Sequence, residues 1–438
     1  FDITGVFIIY SSTLEIAPRS EADIVKKAGK ETPSLTFAPD EVTAYLDALG
    51  EFSEPEFTIE PVELKSGVTY SIDENTVATI DASTGNLEIL ATGTAVVTAT
   101  FAGNDEYKPA TATYTLKVVA MKPDYIFYES FDKCDGTGGN DGKWSGSIAN
   151  GTLYTDNDGW DCGNGKGAND CAKFGTSGAK GSATTPELRF VSGVDYLLTF
   201  MAAAWDGKNE NTTLKLSLSE GCGGTLSESS VTLKKGEWTE YKVYITGVTS
   251  SPQITFEAEN LSNNRFFLDE VYVRECNVKI GEAGVATFCS KYALNFRGSD
   301  VSAYYTTDAA NNTVTMTKVK AGVPAETGLI LKADKSGSYY VPRLSDTETE
   351  IADVDNNLLI GTIVNTTVDP ISAGKRNYVL AYDATDTEKT VEFHPLATSC
   401  TIPAGKSYLH WSSGSQNAPM KIAFDDEEPT GIEAVKCE

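Results

Sequence analysis

Short segments in which apolar and polar residues alternate recur along this chain, and turn residues separate them. Residues 68–75 and 77–81 are two such segments, and the turn at 83–86 leads into a third. Alternation with a period of two places every second side chain on one face, as in a half-buried strand. Several short strands at this spacing indicate a β-sandwich. We therefore predict an all-β fold.

The length of 438 residues allows about three domains, at ~100–200 residues per domain. Changes in residue pattern divide the chain, and the linker at 121–124 contains a proline, which is typical of a domain junction. We predict three tandem β-sandwich domains between an N-terminal strand or linker and an acidic, disordered tail. The predicted segments are 1–32, 33–120, 121–276, 277–424 and 425–438. The first of them is similar to the last strand of the middle module, which predicts a remnant of an upstream module.

The charge balance limits the partners of the chain. It has 35 Lys and Arg against 62 Asp and Glu, a net charge of −27. Such a surface repels the phosphates of nucleic acids and anionic membranes, and no apolar run approaches ~18 residues. We expect no nucleic-acid partner, no membrane insertion, a monomer, and a location outside the cell or on its outer surface.

Eight cysteines are spread along the chain without a C-x-x-C pair, so no thiolate metal site is predicted. Cys162 and Cys171 are close enough in sequence to bridge a loop, and Cys276 and Cys289 flank the predicted junction of the second and third modules. Disulfides and free buried thiols are both compatible with the sequence.

The first module carries a specific likeness. Residues 75–81 (Asn-Thr-Val-Ala-Thr-Ile-Asp), Gly85 and the Gly-Thr-Ala at 93–95 resemble the bacterial immunoglobulin-like group 2 family. The likeness covers about residues 33–120 and implies a sandwich used as a spacer or adhesive segment. Residues 40–49 have helical propensity, but the resemblance implies strand and turn, which we adopt.

The middle module has recognisable motifs at 129–132, 171–175, 181–186, 203–205 and 265–271. These motifs resemble the jelly-roll modules of carbohydrate-binding and surface proteins from gut Bacteroidetes. The resemblance implies a jelly-roll fold for the whole module and does not identify a ligand.

In many such jelly rolls the first and last strands are neighbours, and one carboxylate from each holds a structural calcium ion. This likeness makes Glu129 and Asp269 the leading metal ligands, followed by Asp132 and by Asn140 or Asp141. Ca²⁺ takes 6–8 oxygen ligands, so carboxylates beside carbonyl-rich loops suit it. The alternative is that these are strand-end carboxylates facing water.

Residues 156–161 (Asp-Asn-Asp-Gly-Trp-Asp) also look like a calcium loop. They depart from the EF-hand pattern, because Gly159 is at the fourth position and no bidentate Glu closes the loop. We predict a turn with solvated carboxylates.

Tryptophans in polar loops of the middle module are the candidate ligand-binding residues. Flat aromatic rings pack against the C–H faces of sugars, and neighbouring Asp and Asn side chains bond to sugar hydroxyls. Trp144, Trp160, Trp205 and Asp206 are the predicted carbohydrate-binding residues, whereas Trp238 is expected to be a core or edge residue. For each tryptophan the alternative is a buried anchor whose N–H group is satisfied.

Alternating strand patterns continue in the third module, for example at 284–288, 293–296, 303–305, 313–319 and 326–332. Over about residues 278–424 this pattern resembles a β-rich domain near the C-terminus of Bacteroidetes surface and secreted proteins, and the resemblance implies no catalytic residues. The two histidines, His394 and His410, are not part of an H-E-x-x-H motif, and the chain has no G-x-S-x-G or P-loop. We therefore expect a non-catalytic binding protein at the cell surface or secreted, with carbohydrate as the ligand. The alternatives are an adhesion or spacer protein, and the accessory region of a glycan-active enzyme.

Overall fold

The computed structural model confirms the all-β class, with 48% of the described residues in strands and 4% in helices. The residues it describes are 2–10, 13–25, 29–345, 348–382, 390–412 and 418–425. They belong to two compact units, Phe1–Pro123 and Asp124–Glu438. The expected junction at 276/277 lies inside the second unit, so the division into three domains stays a prediction. The predicted acidic tail lies outside the described residues from residue 426 onward.

A four-stranded sheet is the centre of the described part of the first unit. Its strands, in spatial order, are Glu41–Tyr45, Ala110–Val119, Gly93–Phe101 and Val68–Ile72, and the first two run parallel. The other strands of this unit pair two by two: Ser34–Ala38 with Glu56–Glu60, Ala78–Ile80 with Leu87–Ile89, Asp2–Ile3 with Ile24–Val25, and Val6–Tyr10 with Thr13–Ala17. Phe37 packs edge-on against Tyr114 of the sheet at 4.8 Å, which joins one of these hairpins to the core.

The prediction of strand and turn at 40–49 is confirmed for the strand, Glu41–Tyr45, whereas a 3₁₀ helix, Leu46–Glu51, stands where the turn was expected. Two further 3₁₀ helices occur among the described residues of this unit, Glu21–Asp23 and Val62–Gly67.

Near the N-terminus the chain leaves the strand conformation at Thr4 and Gly5, between the strands Asp2–Ile3 and Val6–Tyr10. A Cβ atom on Gly5 would lie 2.6 Å from the carbonyl oxygen of Ala17, so only glycine fits this close approach.

The second unit begins with a β-sandwich. Among the described residues its larger sheet has seven strands and its smaller sheet has five. The larger contains Gly165–Ala168, Cys171–Phe174, Phe266–Glu275, Tyr196–Ala204, Thr239–Thr246 and Thr225–Leu226 in that order, with Phe127–Glu129 paired to Phe266–Glu275; the smaller contains Asp161–Gly163, Ser182–Thr184, Ile254–Ala258, Thr213–Leu218 and Ser230–Thr232. Buried side chains from both sheets, such as Phe200 and Phe256, form one apolar core between them.

A β-bulge in the strand Phe266–Glu275 changes which side chains face that core. Phe266 and Leu268 enter the core before the bulge, whereas Val271 and Val273 do so after it. The register against the neighbouring strand shifts here, and Glu270 has a φ of 49°. An extra residue in one strand re-aims the side chains beside it.

A ten-stranded sheet dominates the described residues from 277 onward. Nine of its strands lie side by side in the order Val285–Phe288, Leu329–Lys332, Ser302–Ala310, Thr313–Lys318, Met420–Phe424, Val391–Pro395, Lys375–Tyr382, Lys406–Trp411 and Leu359–Thr362, and Ile371–Ser372 pairs with Lys375–Tyr382. Three shorter pairs accompany it: Val278–Ile280 with Gly337–Tyr339, Leu294–Asn295 with Gly322–Val323, and Thr366–Val368 with Cys400–Ile402.

Polar and aromatic contacts connect the sandwich with the sheet that follows it. The Tyr244 hydroxyl donates to Asp300 at 2.7 Å, and the Ser338 hydroxyl donates to Asp195 at 2.7 Å. Tyr340 donates its hydroxyl hydrogen to Asp124. These contacts place the strand Gly337–Tyr339 and the residue after it against the sandwich.

Candidate functional site

The first and last strands of the sandwich are neighbours, as the resemblance implied, but their two acids lie on opposite faces of the sheet. Glu129 is paired with Val271, so its side chain lies on the core side together with that of Phe127. The bulge at Glu270 turns Asp269 to the other face, which it shares with Phe267. The structure therefore does not bring Glu129 and Asp269 together around one point.

The Glu129 carboxylate is fully buried and accepts hydrogen bonds from the loop that begins at Asp156. Oε1 accepts from the Asp156 N–H at 2.6 Å. Oε2 accepts from the N–H and the side-chain amide of Asn157, at 3.1 and 3.0 Å, and from the Trp160 indole at 2.9 Å. Four donors occupy the lone pairs of this carboxylate, so it is arranged as a buried anion rather than as an open metal ligand.

The loop at 156–161 forms the predicted turn, but the backbone N–H groups of Asp156 and Asn157 donate hydrogen bonds to Glu129. Its first carboxylate is not simply solvated, because Asp156 accepts hydrogen bonds from the Ser130 hydroxyl at 2.6 Å and pairs with Lys133 at 2.9 Å. The Ser130 hydrogen bond is the main reason that the pKa of Asp156 lies below its usual value. The Asp-Asn-Asp-Gly sequence at the start of 156–161, which looks like a calcium loop, therefore belongs to a loop that binds the Glu129 carboxylate of the same chain.

Asp269 has a different environment, close to the surface and beside Asn140. Its side chain is only 6% exposed, and the Asn140 amide donates to Oδ2 at 3.0 Å. The same amide group donates to the Asp170 carbonyl at 2.8 Å. Burial raises the pKa of Asp269 to about 7, against the lowering effect of the Asn140 hydrogen bond. Asp132, the fourth predicted ligand, is exposed, and its charge contributes to that rise.

Asn140, Asp269 and the Asp170 carbonyl therefore converge, although Asp170 was not predicted. Rotating the Asn140 amide by half a turn would exchange its nitrogen and oxygen and place three oxygens next to one another. Among the described residues there is no group of three or more His, Cys, Asp or Glu side chains that could hold a metal. A cation here would thus depend on carbonyl and amide oxygens, which suit Ca²⁺.

Trp205 is buried, with 6% of its surface exposed. The Arg265 guanidinium lies 4.2 Å from the centre of its ring, and the Phe267 ring is parallel to it at 6.1 Å. Arg265 in turn pairs with the buried Glu210 at 2.7 Å. These neighbours cover the indole, so Trp205 is a packing residue with no face available to a sugar.

Trp160 is half-buried and packs against Phe127 and Phe131, at ring-centre distances of 6.0 and 5.4 Å. Its N–H group is taken by Glu129. It belongs to the 156–161 loop, which binds Glu129, and it packs against a different apolar cluster from that of Trp205.

Trp144 is half-buried and lies next to the exposed Asp206. The Asp206 N–H donates to the Trp144 carbonyl at 3.0 Å. The Trp144 ring packs edge-on against Trp238 at 5.4 Å, and a Cβ on Gly236 would lie 3.4 Å from both Trp144 and Asp206. Three loops thus meet here, and we call Trp144, Asp206, Gly236 and Trp238 the tryptophan patch.

The seven described cysteines are all free thiols. Cys162 and Cys171 lie on strands of different sheets, which explains why they do not bridge a loop. Burial raises the pKa of Cys162 to about 12 and that of Cys276 to about 12, which keeps both protonated.

No protein-family model matches this chain, and no curated protein is found to be similar to it. Among the described residues no helix is long and apolar enough to cross a membrane.

Proposed function

We propose that this chain is a non-catalytic binding protein, secreted or on the outer cell surface, whose sandwich at 124–276 binds carbohydrate. The immunoglobulin-like module and the C-terminal β-rich module act as spacers that present it. The resemblances to bacterial immunoglobulin-like domains and to Bacteroidetes jelly rolls support this assignment, as does the all-β architecture.

The observation that carries the proposal is the half-buried Trp144 ring beside the exposed Asp206 carboxylate. A ring fixed by Trp238 and Phe267 loses little conformational entropy when a sugar packs on its open part. Asp206 can accept hydrogen bonds from sugar hydroxyls, since an ionised carboxylate is an acceptor only. One ring and one carboxylate make a site of weak affinity. Such a site suits a polysaccharide, which offers the same sugar unit many times.

We also propose a structural calcium ion at Asp269, Asn140 and the Asp170 carbonyl. Three oxygens fill only part of the 6–8 that Ca²⁺ takes, so the exposed Asp132 and water would complete the set. The ion would neutralise the buried Asp269 and tie the loop that contains Asn140 to the last strand. This loop continues to Trp144, so the ion would stabilise the tryptophan patch without touching the ligand.

Affinity electrophoresis of the whole chain in gels containing neutral polysaccharides tests the proposal. Trp144→Ala should abolish the retardation that the unchanged protein shows, and Asp206→Ala should weaken it. Tyr154→Ala is the matched control, because Tyr154 is an aromatic residue with 49% exposure on another loop of the same sandwich. Equal retardation of the Trp144 and Tyr154 variants would overturn the assignment to this patch.

A further inference from the structure

Two tyrosines lie side by side on the outer face of the larger sheet of the sandwich. Tyr128 is on the first strand and Tyr272 on the last, and the two residues are direct partners in the pairing of these strands. Phe127 and Val273 enter the core, so the alternation along each strand places both tyrosines on the opposite face. Their rings are stacked, with the ring centres 4.2 Å apart and the ring planes at 15° to each other.

The hydroxyl groups of the two stacked rings meet at one carboxylate. The Tyr128 hydroxyl donates to the two oxygens of Glu270, at 3.0 and 3.1 Å. The Tyr272 hydroxyl is hydrogen-bonded to Glu270 and to the Tyr128 hydroxyl. Both phenols therefore point the same way, and the ring carbons next to the two hydroxyl groups lie beside one another.

Arg274 holds this arrangement from the other side. Its guanidinium lies 4.0 Å from the centre of the Tyr272 ring, on the face that Tyr128 leaves open, because the stacked ring already covers the first face. Arg274 Nη1 donates to the Thr199 hydroxyl at 2.9 Å, which fixes the guanidinium. The stacked pair is thus formed in the folded chain without a ligand.

A third tyrosine connects the stacked pair with solvent. Tyr128 and Tyr272 are half-buried, whereas 36% of the surface of Tyr125 is exposed. The Tyr125 ring lies 5.6 Å from that of Tyr128 and 5.7 Å from that of Tyr272. An oxidant in solution can therefore take an electron from Tyr125, and either ring of the pair is close enough to replace it.

We propose that Tyr128 and Tyr272 are the site of an oxidative dityrosine cross-link, made by a peroxidase-type one-electron oxidant with hydrogen peroxide. Each phenol loses one electron and its O–H proton, and Glu270 is positioned to accept the proton of Tyr128. The two phenoxyl radicals then join through a carbon–carbon bond between the ring carbons next to their hydroxyl groups. The hydrogens on these carbons move to the phenol oxygens and restore both aromatic rings, while hydrogen peroxide is reduced to water.

The cross-link would tie the first strand of the sandwich to the last one. All of the described cysteines are free thiols, so no disulfide among them makes such a connection. A covalent bond between residues far apart in the sequence restricts the unfolded chain and so stabilises the folded one. The inference does not depend on carbohydrate binding, because no residue of the tryptophan patch takes part.

Treatment of the whole chain at low concentration with a haem peroxidase and hydrogen peroxide tests the proposal. Low concentration favours linkage within one molecule, and the monomer is isolated on a denaturing gel before digestion and mass spectrometry. The expected product joins the peptide that contains Tyr128 to the peptide that contains Tyr272, with loss of two hydrogen atoms and with the blue fluorescence of dityrosine. A treated monomer without this product would overturn the proposal.

Tyr244 and Tyr339 provide a matched pair inside the same protein. Both are half-buried and in ring contact, and the Tyr244 hydroxyl donates to the Asp300 carboxylate at 2.7 Å. Their rings meet edge-on, however, at 5.7 Å and 78°, so they lack the stacking of the proposed site. Their peptides should remain unlinked. Equal linkage of the two pairs would show unselective coupling of nearby tyrosines and would contradict the proposal.

Three variants that keep the aromatic ring complete the test. Tyr272→Phe should abolish the dityrosine fluorescence of the monomer, whereas Tyr339→Phe should leave it unchanged. Tyr125→Phe should slow the formation of the cross-link without changing which peptides are joined. Treatment should raise the melting temperature of the unchanged protein but not that of Tyr272→Phe. Dityrosine fluorescence that persists in the monomer of Tyr272→Phe would show that other tyrosines are coupled, and the proposal would fail.

Discussion

The indole N–H of Trp160 donates to Oε2 of Glu129 at 2.9 Å, across 31 residues of sequence. Together with three donors from Asp156 and Asn157 it fixes a fully buried carboxylate on the core side of the first strand. This contact accounts for two residues that looked like ligand-binding groups. Their role is to attach the 156–161 loop to the sandwich.

Trp160→Phe should therefore destabilise the protein, because it keeps most of the packing and removes a hydrogen bond to a buried charge. We expect a loss of about 1.5–3 kcal/mol in the free energy of unfolding. Urea unfolding followed by tryptophan fluorescence measures it, since all five tryptophans belong to the second unit. Trp238→Phe is the control, because the Trp238 N–H is buried without a partner among the described residues. Equal losses for the two variants would contradict the role given to Glu129.

Calcium should raise the melting temperature of the protein, and a chelator should reverse the effect. At a concentration of a hundred times the dissociation constant the ion would stabilise the folded state by about 2.7 kcal/mol. Asp269→Asn should abolish the calcium response, because it removes the buried charge of the site and leaves the exposed Asp132 as its only carboxylate.

Glu129→Gln distinguishes the role proposed for Glu129 from the role proposed for Asp269. It should lower the melting temperature with or without calcium, because it weakens the four hydrogen bonds of the buried carboxylate, but the shift caused by calcium should remain. Differential scanning fluorimetry measures both quantities. A calcium response that disappears in Glu129→Gln and persists in Asp269→Asn would show that the assignments are reversed.

His410 should make the stability of the protein depend on pH. Its Nδ1 lies 2.6 Å from Asn377 Oδ1, and burial lowers its pKa below the usual value. The unfolded chain then binds a proton more readily than the folded one. The contribution of His410 is complete above the unfolded pKa of about 6.5 and decreases as the pH falls towards the folded pKa.

Comparison of two variants isolates this effect. Burial raises the pKa of Asp269 to about 7, so that group titrates in the same range with the opposite sign. His410→Gln and His394→Gln both retain Asp269, and its contribution cancels between them. The melting temperature at about pH 7.5 minus that at about pH 5.5, taken as a signed difference, should be lower in His410→Gln than in His394→Gln, because only His394→Gln keeps the contribution of His410 that increases with pH. The same pH dependence in both variants would exclude His410 as its source.

Sequence alone could predict the fold class, because alternation of apolar and polar residues is a local property. The strand Val68–Ile72 and its neighbours were predicted in this way. The pairing of Phe127–Glu129 with Phe266–Glu275 could be predicted only from the resemblance to jelly-roll modules.

The arrangement of the candidate site could not be predicted in the same way. One extra residue at Glu270 decides on which face of the sheet the Asp269 side chain lies, and no residue type in that strand predicts a bulge. The donors to Glu129 come from a loop about 30 residues away, and its Asp-Asn-Asp-Gly sequence suggests a cation site as readily as a turn. The burial of Trp205 depends on Arg265 and Glu210, two residues whose pairing has no local signal.

Binding of the fluorescently labelled whole chain to an array of neutral and acidic glycans, with calcium and with chelator, tests the central proposal most directly. The account predicts binding to a defined set of neutral glycans, and loss of that binding in Trp144→Ala but not in Tyr154→Ala. Chelator should weaken this binding, since the proposed ion holds the loop that carries Trp144. No neutral glycan bound in either condition would contradict carbohydrate binding by the sandwich and would favour an adhesive or spacer role.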